Sequence, residues 1–420
     1  MDMNSLILLI FLCVLSGGEA SLYGLFFGEH HELTLESSVN PKCGNQCRDK
    51  SVNFVDIGER SSNRRWLWDV THLPAFYSIF TSEPNTNAHV DWPNFISQPN
   101  PKSLSYGSED PLWTSSVIFE SLVEFNDTND DMKLNYSKCG MDESYCRTYS
   151  LYNCTWDREL LVNTTTHLTI QFVSQHCSFN DMGNDKGKIN ITVSAFIDDG
   201  YGYWLPHLAH SYRTCEVDVQ LDGIQTGSNF TNGRFSILML VDSSSSEGSF
   251  SRRQTESLND EHTPGIFETN ELIFSGMNKS QEAYIQWRPV VYSKHVRGLA
   301  DSTRVFMSKG IAVTAMHKYF NLTSLYAIYG NRIDQFLARR YLVSFGAPND
   351  GFYNKTQYNA WTFNLGHGEP IDGNLSRNVI IASTFLGIIV VISIMVSSSF
   401  CLYKRWKNRN TEPHFSYGQI

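Results

Sequence analysis

The feature that most constrains this 420-residue chain is an uncharged apolar segment close to its C-terminal end. The segment runs from Val379 to Leu402 and is dominated by Ile, Val, Leu and Phe. As a helix rising about 1.5 Å per residue it is about 36 Å long, enough to cross a hydrocarbon core of about 30 Å. The basic flank typical of the cytosolic side follows directly: Lys404, Arg405, Lys407 and Arg409. The sequence therefore predicts a transmembrane helix over 379–403 and a cytosolic tail over 404–420.

The other end of the chain carries the pattern of a secretory signal peptide. Leu6 to Leu15 is an apolar run interrupted only by Cys13, and Gly18 and Ala20 place small residues at the two cleavage positions. The run is too short to span a membrane, so we expect residues 1–20 to be removed. With one stop-transfer segment, this predicts a single-pass type I protein whose residues 21–378 lie in the lumen.

The tail ends on the sequence FSYGQI. A tyrosine followed three positions later by a bulky apolar residue fits two pockets of a clathrin adaptor, in the manner of strand addition. Tyr417 and Ile420 stand at this spacing behind the predicted span. They predict a sorting motif that directs the protein to endosomes and the lysosomal membrane.

Ten Asn-x-Ser/Thr sequons lie between the predicted signal peptide and the predicted span, and nowhere else. Sequons are acceptors for N-linked glycans on exposed surfaces of secreted proteins. Their confinement predicts a glycan-coated ectodomain that resists luminal proteases. The asparagines are Asn126, Asn135, Asn153, Asn163, Asn190, Asn229, Asn278, Asn321, Asn354 and Asn374.

Seven of the nine cysteines fall in the predicted ectodomain, where an oxidising compartment favours disulfides. An odd count leaves one cysteine free or paired between chains, and the sequence does not choose among about 105 arrangements. A metal site at Cys43 and Cys47 lacks a second ligand pair at zinc-like spacing. The disulfide candidates are Cys43, Cys47, Cys139, Cys146, Cys154, Cys177 and Cys215.

Alternation of apolar and polar residues dominates the ectodomain and predicts half-buried antiparallel strands. The clearest segments are INITVSAFI, CEVDVQLDG, HLTIQFV and RFSILML. In the first of these, Asn190 falls on the polar face, where a glycan is tolerated. In the second, the pattern places one set inward, Cys215, Val217, Val219 and Leu221, and the other in solvent, Glu216, Asp218, Gln220 and Asp222. We therefore predict a mainly β fold: an antiparallel β-sandwich-like luminal ectodomain plus one C-terminal transmembrane helix.

Two stretches rich in Gly, Ser, Pro and Asn, 81–111 and 242–264, are predicted to be loops. The second contains Arg252 and Arg253 and has the composition of a protease-sensitive linker. Two alternatives follow: a domain boundary near residue 245, or one continuous β-rich ectodomain. Segment 115–125 fits a strand or a helix equally well.

The sequence contains none of the compact catalytic motifs of zinc proteases, serine hydrolases or phosphate-binding loops. His30, His31 and Glu32 are interpreted as a solvated run, with a ligand cluster as the alternative. Asp198-Asp199-Gly200, followed by the aromatic run YGYW, is interpreted as a hairpin turn after a strand, with a carboxylate beside the aromatics of a carbohydrate site as the alternative. The formal net charge of −10 argues against nucleic acid as a partner. We predict no catalytic residues, no cofactor and no metal, and an enzyme stays open as an alternative that no residue pattern supports.

Five segments resemble the glycosylated lysosomal membrane protein family, in the same order along the chain. They are SSVIFESLVEFNDTN, TCEVDVQLDG, SLNDEHTPGIFETNELIF, QWRPVVYS and GHGEPIDG. The resemblance implies a non-enzymatic accessory subunit. In that family the glycosylated luminal part covers a multi-spanning lysosomal transporter of the major facilitator type, which moves dipeptides, and protects it from proteolysis. Two alternatives stay open: a membrane-anchored lysosomal hydrolase, and a luminal ligand-binding or sorting receptor.

Overall fold

The computed structural model describes most of the chain between residue 34 and residue 409. The described ranges are 34–47, 52–59, 62–139, 141–177, 187–245, 247–256, 261–276, 278, 281–313, 320–351, 357–371 and 377–409. Several predictions lie outside them: the signal peptide, the run at 30–32, the sequons Asn354 and Asn374, and the sorting residues Tyr417 and Ile420. The chain divides into two units, residues 31–371 and residues 1–30 with 372–420, which are described separately.

The larger unit contains a first antiparallel sheet whose main path has eight strands. The strands carry numbers in chain order and are named in their order across the sheet. This order is β1 (Leu35–Val39), β2 (Phe54–Glu59), β3 (Arg64–Asp69), β4 (Ala75–Phe80), β7 (Trp113–Asn126), β15 (Gly233–Ser243), β23 (Leu337–Phe345) and β21 (Val305–Met307). Two further strands pair off this path: β8 (Cys146–Ser150) with β7, and β22 (Ile311–Ala312) with β23.

A second antiparallel sheet is built the same way from the remaining long strands. Its order is β16 (Ser249–Glu256), β17 (Glu268–Ser275), β18 (Glu282–Trp287), β24 (Tyr358–His367), β14 (Thr214–Asp222), β11 (Lys188–Phe196), β10 (His167–Gln175) and β9 (Thr155–Asn163). The short strands β19 (Val291–Tyr292) and β20 (Ser302–Thr303) pair beside β24. Two small hairpins complete the strands: β5 (Ala88–Val90) with β6 (Leu104–Tyr106), and β12 (Gly200–Tyr201) with β13 (Ala209–His210).

The core lies between the two sheets. The Phe119 ring of β7 meets the Phe363 ring of β24 edge-on, with centroids 6.1 Å apart. The Trp66 ring of β3 stacks on His367 of β24 at 5.3 Å. Residues facing the opposite sheet are apolar at every second position, which is why the alternating pattern was visible in the sequence. The predicted β-sandwich architecture is confirmed.

The outer faces of the central strands are also buried, which corrects the prediction of half-buried strands. Every residue of β15 and β24 is buried, and so are all but the last residues of β7 and β14. Over the first sheet the cover is a short helix, α2 (Ser324–Tyr329), whose Ser324 hydroxyl donates to Asp69 at 2.6 Å. Alternation reports which residues share a face of a strand, but it does not report what later segments cover that face.

Both stretches predicted to be loops contain regular structure. Residues 81–111 form the β5–β6 hairpin around helix α1 (Trp92–Ile96), whose Trp92 and Phe95 rings pack edge-on against Phe54. The prediction of a linker over 242–264 is wrong for residues 249–256, which form the edge strand β16. Each sheet contains strands from both sides of residue 245, so the sheets show no division there.

The smaller unit contains one long helix, α3 (Arg377–Arg409), which includes the predicted span 379–403. Within it, Thr384–Asn408 is long and apolar enough to cross a membrane, and its described side chains are exposed. No other helix among the described residues meets that criterion. The predicted C-terminal transmembrane helix is therefore supported by both its length and its composition.

Candidate interaction surface

A buried polar layer covers the outer face of the second sheet at strand β14. Of the four residues that the sequence placed in solvent, Glu216, Asp218 and Gln220 are 3%, 1% and 8% exposed, and Asp222 is half-buried. Thr362 of the neighbouring strand β24 donates to Asp218 at 2.6 Å, and Gln220 donates to the same carboxylate at 2.7 Å. Buried carboxylates need such partners, because leaving them unpaired costs several kcal/mol. These hydrogen bonds therefore hold the polar layer in place.

One arginine ties the covering loops to this layer. The Arg297 guanidinium donates to the Asp218 carboxylate at 2.7 Å and to the Thr362 hydroxyl at 3.0 Å. It also donates to the backbone oxygen of Leu205 at 2.8 Å and lies 5.1 Å from the centre of the Trp204 ring. Burial alone would lower the pKa of Arg297, but the Asp218 carboxylate raises it, and the net shift is upward. The arginine therefore stays charged and holds two loops, 197–210 and 293–301, on one strand.

Glu216 is the second buried acid of this polar layer. Burial raises the pKa of its carboxyl to about 8, the negative charge of Asp218 adds to the rise, and Arg297 opposes it. A Cβ on Gly202 would collide with this carboxyl group, so only glycine lets the 197–210 loop lie so close. The Glu216 Oε2 atom has no hydrogen-bond partner among the described residues. Glu216 is therefore a neutral, tightly covered acid at acidic pH.

Apolar side chains stand exposed on the loops above this layer. We call them the loop surface: Tyr201 (40% exposed), Tyr203 (81%), Phe267 (51%), Val296 (86%) and Leu299 (59%). Single exposed apolar residues are ordinary, but a contiguous group on ordered loops indicates a protein interaction site. The segments are joined by contact: Tyr201 stacks on His262 at 3.8 Å, and Phe267 and Leu299 line one groove of about 310 Å³.

None of the five residues of the loop surface belongs to a sequon. The nearest sequon in the sheet beneath it is Asn190 of β11, which is paired with Gln220 on the same outer face. Of the eight sequons within the described ranges, six asparagines have exposed side chains: Asn135, Asn153, Asn163, Asn229, Asn278 and Asn321. Asn126 and Asn190 are half-buried. Asn190 does lie on the polar face of β11, but its neighbours on that face, Thr192 and Ser194, are buried. The sequence did not reveal the loop surface, because the three segments that form it are far apart in the chain.

The structure pairs six of the seven predicted ectodomain cysteines. The disulfides are Cys43–Cys47, Cys139–Cys146 and Cys154–Cys177. All three close short loops in the N-terminal half, and the first removes the metal-site interpretation of Cys43 and Cys47. Cys215 is the unpaired thiol and is fully buried, which raises its pKa well above the usual value.

The carboxylates considered for catalysis do not converge. Asp198 and Asp199 are exposed, and the segment does not turn back at once as a tight hairpin. Instead it opens the excursion that carries β12 and β13. Within the described ranges, no three His, Cys, Asp or Glu side chains come together as a metal site. The candidate interaction residues that the sequence analysis did not predict are those of the loop surface. A signal existed for part of them, since Tyr201, Tyr203 and Trp204 form an aromatic cluster without alternation.

A disulfide-bonded β-sandwich and one apolar C-terminal helix define a single-span membrane protein with a large sheet-rich domain. The family model for glycosylated lysosomal membrane protein matches residues 53–408, and the chain belongs to that family. Its location in the lysosomal membrane with a single span is confirmed by this membership and by the helix.

The chain is similar to curated relatives over most of their length. It is 25% identical to glycosylated lysosomal membrane protein A of Xenopus laevis over 85% of this chain and 87% of the relative. It is 27% identical to the Danio rerio protein over 79% of each chain, and 23% identical to the Homo sapiens protein over 74% of each. These relatives are named as membrane proteins of the lysosome and not as enzymes.

Proposed function

We propose that this protein is a non-enzymatic accessory subunit of a multi-spanning lysosomal transporter. The observation that supports this proposal is the loop surface: an exposed apolar group on ordered loops whose residues belong to no sequon. A glycan coat excludes proteins from the surface it covers, so a surface without sequons is the one open to a partner. Aromatic residues at its centre are typical of protein interfaces.

The partner class comes from the family resemblance: a transporter of the major facilitator type that moves dipeptides. In this proposal the glycosylated sandwich covers the luminal loops of the transporter and keeps proteases away from them. The tail supplies the adaptor signal, and the span assists through Ser383 and Gly387, small residues four apart. The carboxyl Glu216 and the ion pair of Arg297 hold the loop surface in one shape, which reduces the entropic cost of binding.

A glycan placed on the loop surface tests this proposal directly. The double substitution Lys294→Asn and Val296→Thr creates a sequon at two exposed positions of the loop surface segment. A matched control, Glu159→Asn with Leu161→Thr, creates one on the exposed edge strand β9, three strands away from β14. Both variants should gain one glycan and reach lysosomes.

In cells that lack this protein, quantitative proteomics of lysosomes should show a lower level of a major facilitator transporter. The mRNA level of that transporter should not change. Lysosomal protease inhibitors should restore it. The β9 control should rescue the transporter as the unmodified chain does, and the 294 glycan variant should not. Equal transporter abundance and lifetime with and without this protein would overturn the proposal and favour the receptor alternative. Rescue by the variant with a glycan at residue 294 would show that the loop surface is not the contact with the transporter.

A further inference from the structure

A groove on the outer face of the first sheet has a lining unlike that of the loop surface. Its floor is formed by Leu238 of β15 and Leu342 of β23, which are directly paired across the two strands and are 2% and 9% exposed. The cavity measures about 550 Å³. Pockets that hold small organic molecules measure about 300–1,000 Å³. The groove is therefore of a size that accepts a small ligand.

Two ordered segments form the walls of the groove. Residues 133–137 line one side, and Ser308, Lys309 and Ile311 line the other. The first wall is held by the Cys139–Cys146 disulfide and by Tyr145, whose hydroxyl accepts from the Asn135 backbone at 2.7 Å. Leu134 and Tyr136 of this wall pack on the floor residues, and Ile311 opposite is 59% exposed. The lining is thus predominantly apolar and fixed in shape.

Three cations stand around this apolar lining, and no carboxylate is among the residues that line it. Lys309 forms no ion pair within the described part of the chain. Lys133 has only a 3.5 Å contact with Asp131, and both side chains are exposed. Arg340 is 24% exposed, lies 3.8 Å from Glu120 and sits over the Tyr136 ring, 5.4 Å from its centre. A ring of positive charge around an apolar groove complements an anionic headgroup on an apolar chain.

The sequon at Asn135 favours a small ligand over a folded protein as the occupant of this groove. Its exposed side chain stands at the rim of the groove, and its Oδ1 atom accepts from the Ser137 backbone at 3.2 Å. A sugar is attached through Nδ2, so glycosylation leaves this turn intact. A glycan at the rim excludes a protein surface from the groove but leaves room for a single chain.

We propose that this groove binds a long-chain fatty acid anion. The acyl chain lies against Leu134, Tyr136 and Ile311, above the buried floor, and the carboxylate lies between Lys309 and Lys133. Binding is non-covalent and requires no cofactor. It is independent of the loop surface, which lies on the other sheet.

A photoactivatable palmitic acid analogue tests the proposal on the full-length glycoprotein. Isolated membranes without ATP or coenzyme A, in which the analogue is not activated, are irradiated, and the labelled peptides are identified by mass spectrometry. Label should concentrate on the segments 133–137 and 308–312. Free palmitate should compete for this label, and methyl palmitate, which has no charge, should compete at least about tenfold less well.

Matched variants separate the groove from general surface effects. Ile311→Glu should lower the label on these segments about tenfold, because it places a charge on the apolar wall. Phe306→Glu changes a residue of nearly the same exposure, 58%, outside the groove, and should label as the unmodified chain does. Lys309→Glu should weaken labelling, whereas Lys188→Glu, an exposed lysine on β11, should not.

Three results would overturn the proposal: label confined to the membrane helix, equal labelling of the Ile311→Glu chain, or equal competition by palmitate and its methyl ester. Asn135→Gln should keep the label. Loss of the label in the Asn135→Gln chain would contradict the inference that a glycan at the rim leaves room for the ligand.

Discussion

The Arg297 guanidinium lies 2.7 Å from the Asp218 carboxylate, and the two side chains are 3% and 1% exposed. This pair joins the 293–301 loop to the polar face of β14, and the same guanidinium holds the backbone of Leu205. The loop surface thus depends on an ion pair whose carboxylate, Asp218, the sequence pattern had placed in solvent.

Removing Arg297 should strongly destabilise the domain. Arg297→Ala leaves the Asp218 carboxylate buried without its cation, which costs about 3–5 kcal/mol in comparable sites. Lys294→Ala is the matched control, because the Lys294–Asp301 pair, 2.8 Å apart, has a lysine that is 64% exposed. Such a pair contributes about 0–1 kcal/mol. Denaturant unfolding of the two variants should show this difference, and equal midpoints would contradict it.

Glu216 should make the domain less stable as the pH rises. Its pKa is about 8 in the folded chain, raised mainly by burial, and about 4.3 in an unfolded one. A raised folded pKa gives a contribution that is complete below the unfolded value and is lost as the pH rises through 8. The contribution of Glu216 to stability should therefore fall between about pH 4.5 and pH 8. Below about pH 6.5 it is opposed by His210 and His367, whose pKa values burial lowers.

Glu216→Gln should make this decline shallower without lowering stability at pH 5, since the glutamine is neutral like the protonated acid. The remaining decline comes from Asp242, whose pKa burial also raises to about 8. Glu261→Gln, at an exposed position, is the control and should keep the decline. Differential scanning fluorimetry across the pH range measures both. A Glu216→Gln profile as steep as that of the unmodified chain would place the titration elsewhere.

Cys215 should be the ectodomain thiol that never reacts in the folded protein. It is fully buried, and burial raises the pKa of the thiol well above its usual value. Maleimide should modify it only after denaturation without reductant, and the site should be absent in Cys215→Ser. A covalent dimer that reductant separates, and that Cys215→Ser abolishes, would show instead that this cysteine pairs between chains.

Glycan occupancy should follow the exposure of the asparagine. We expect high occupancy at the six exposed described sequons and lower occupancy at Asn126 and Asn190, whose half-buried amides leave less room. Asn374 should also be low, because it lies close to the predicted span. Enzymatic deglycosylation in heavy-oxygen water followed by peptide mass spectrometry gives each occupancy. A shift of only one or two glycans in total would refute the glycan coat.

The tail should direct the protein to lysosomes through Tyr417 and Ile420. Tyr417→Ala removes the side chain that fits the adaptor pocket and should move the protein to the cell surface, where biotinylation detects it. Gln419→Ala, which changes a spacer, should have no effect. If Tyr417→Ala still reaches lysosomes at the normal rate, the transporter partner directs the sorting.

The sequence by itself determined the architecture of this protein and its membrane attachment. An uncharged run at 379–402 and period-two alternation in segments such as INITVSAFI are local patterns, set by the thickness of a bilayer and the pleat of a strand. The sequons and the odd number of luminal cysteines can likewise be read directly from the sequence.

The tertiary structure alone decided which faces are covered and which surface is open. Glu216 and Asp218 alternate with apolar residues just as solvated side chains do, yet loops that begin at residues 197 and 293 bury them. The partner of Asp218 lies 79 residues away in the chain, and the loop surface combines three separated segments. Cysteine pairing depends in the same way on distances in space. No local pattern encodes contacts between segments so far apart, because they form only when the two sheets pack together.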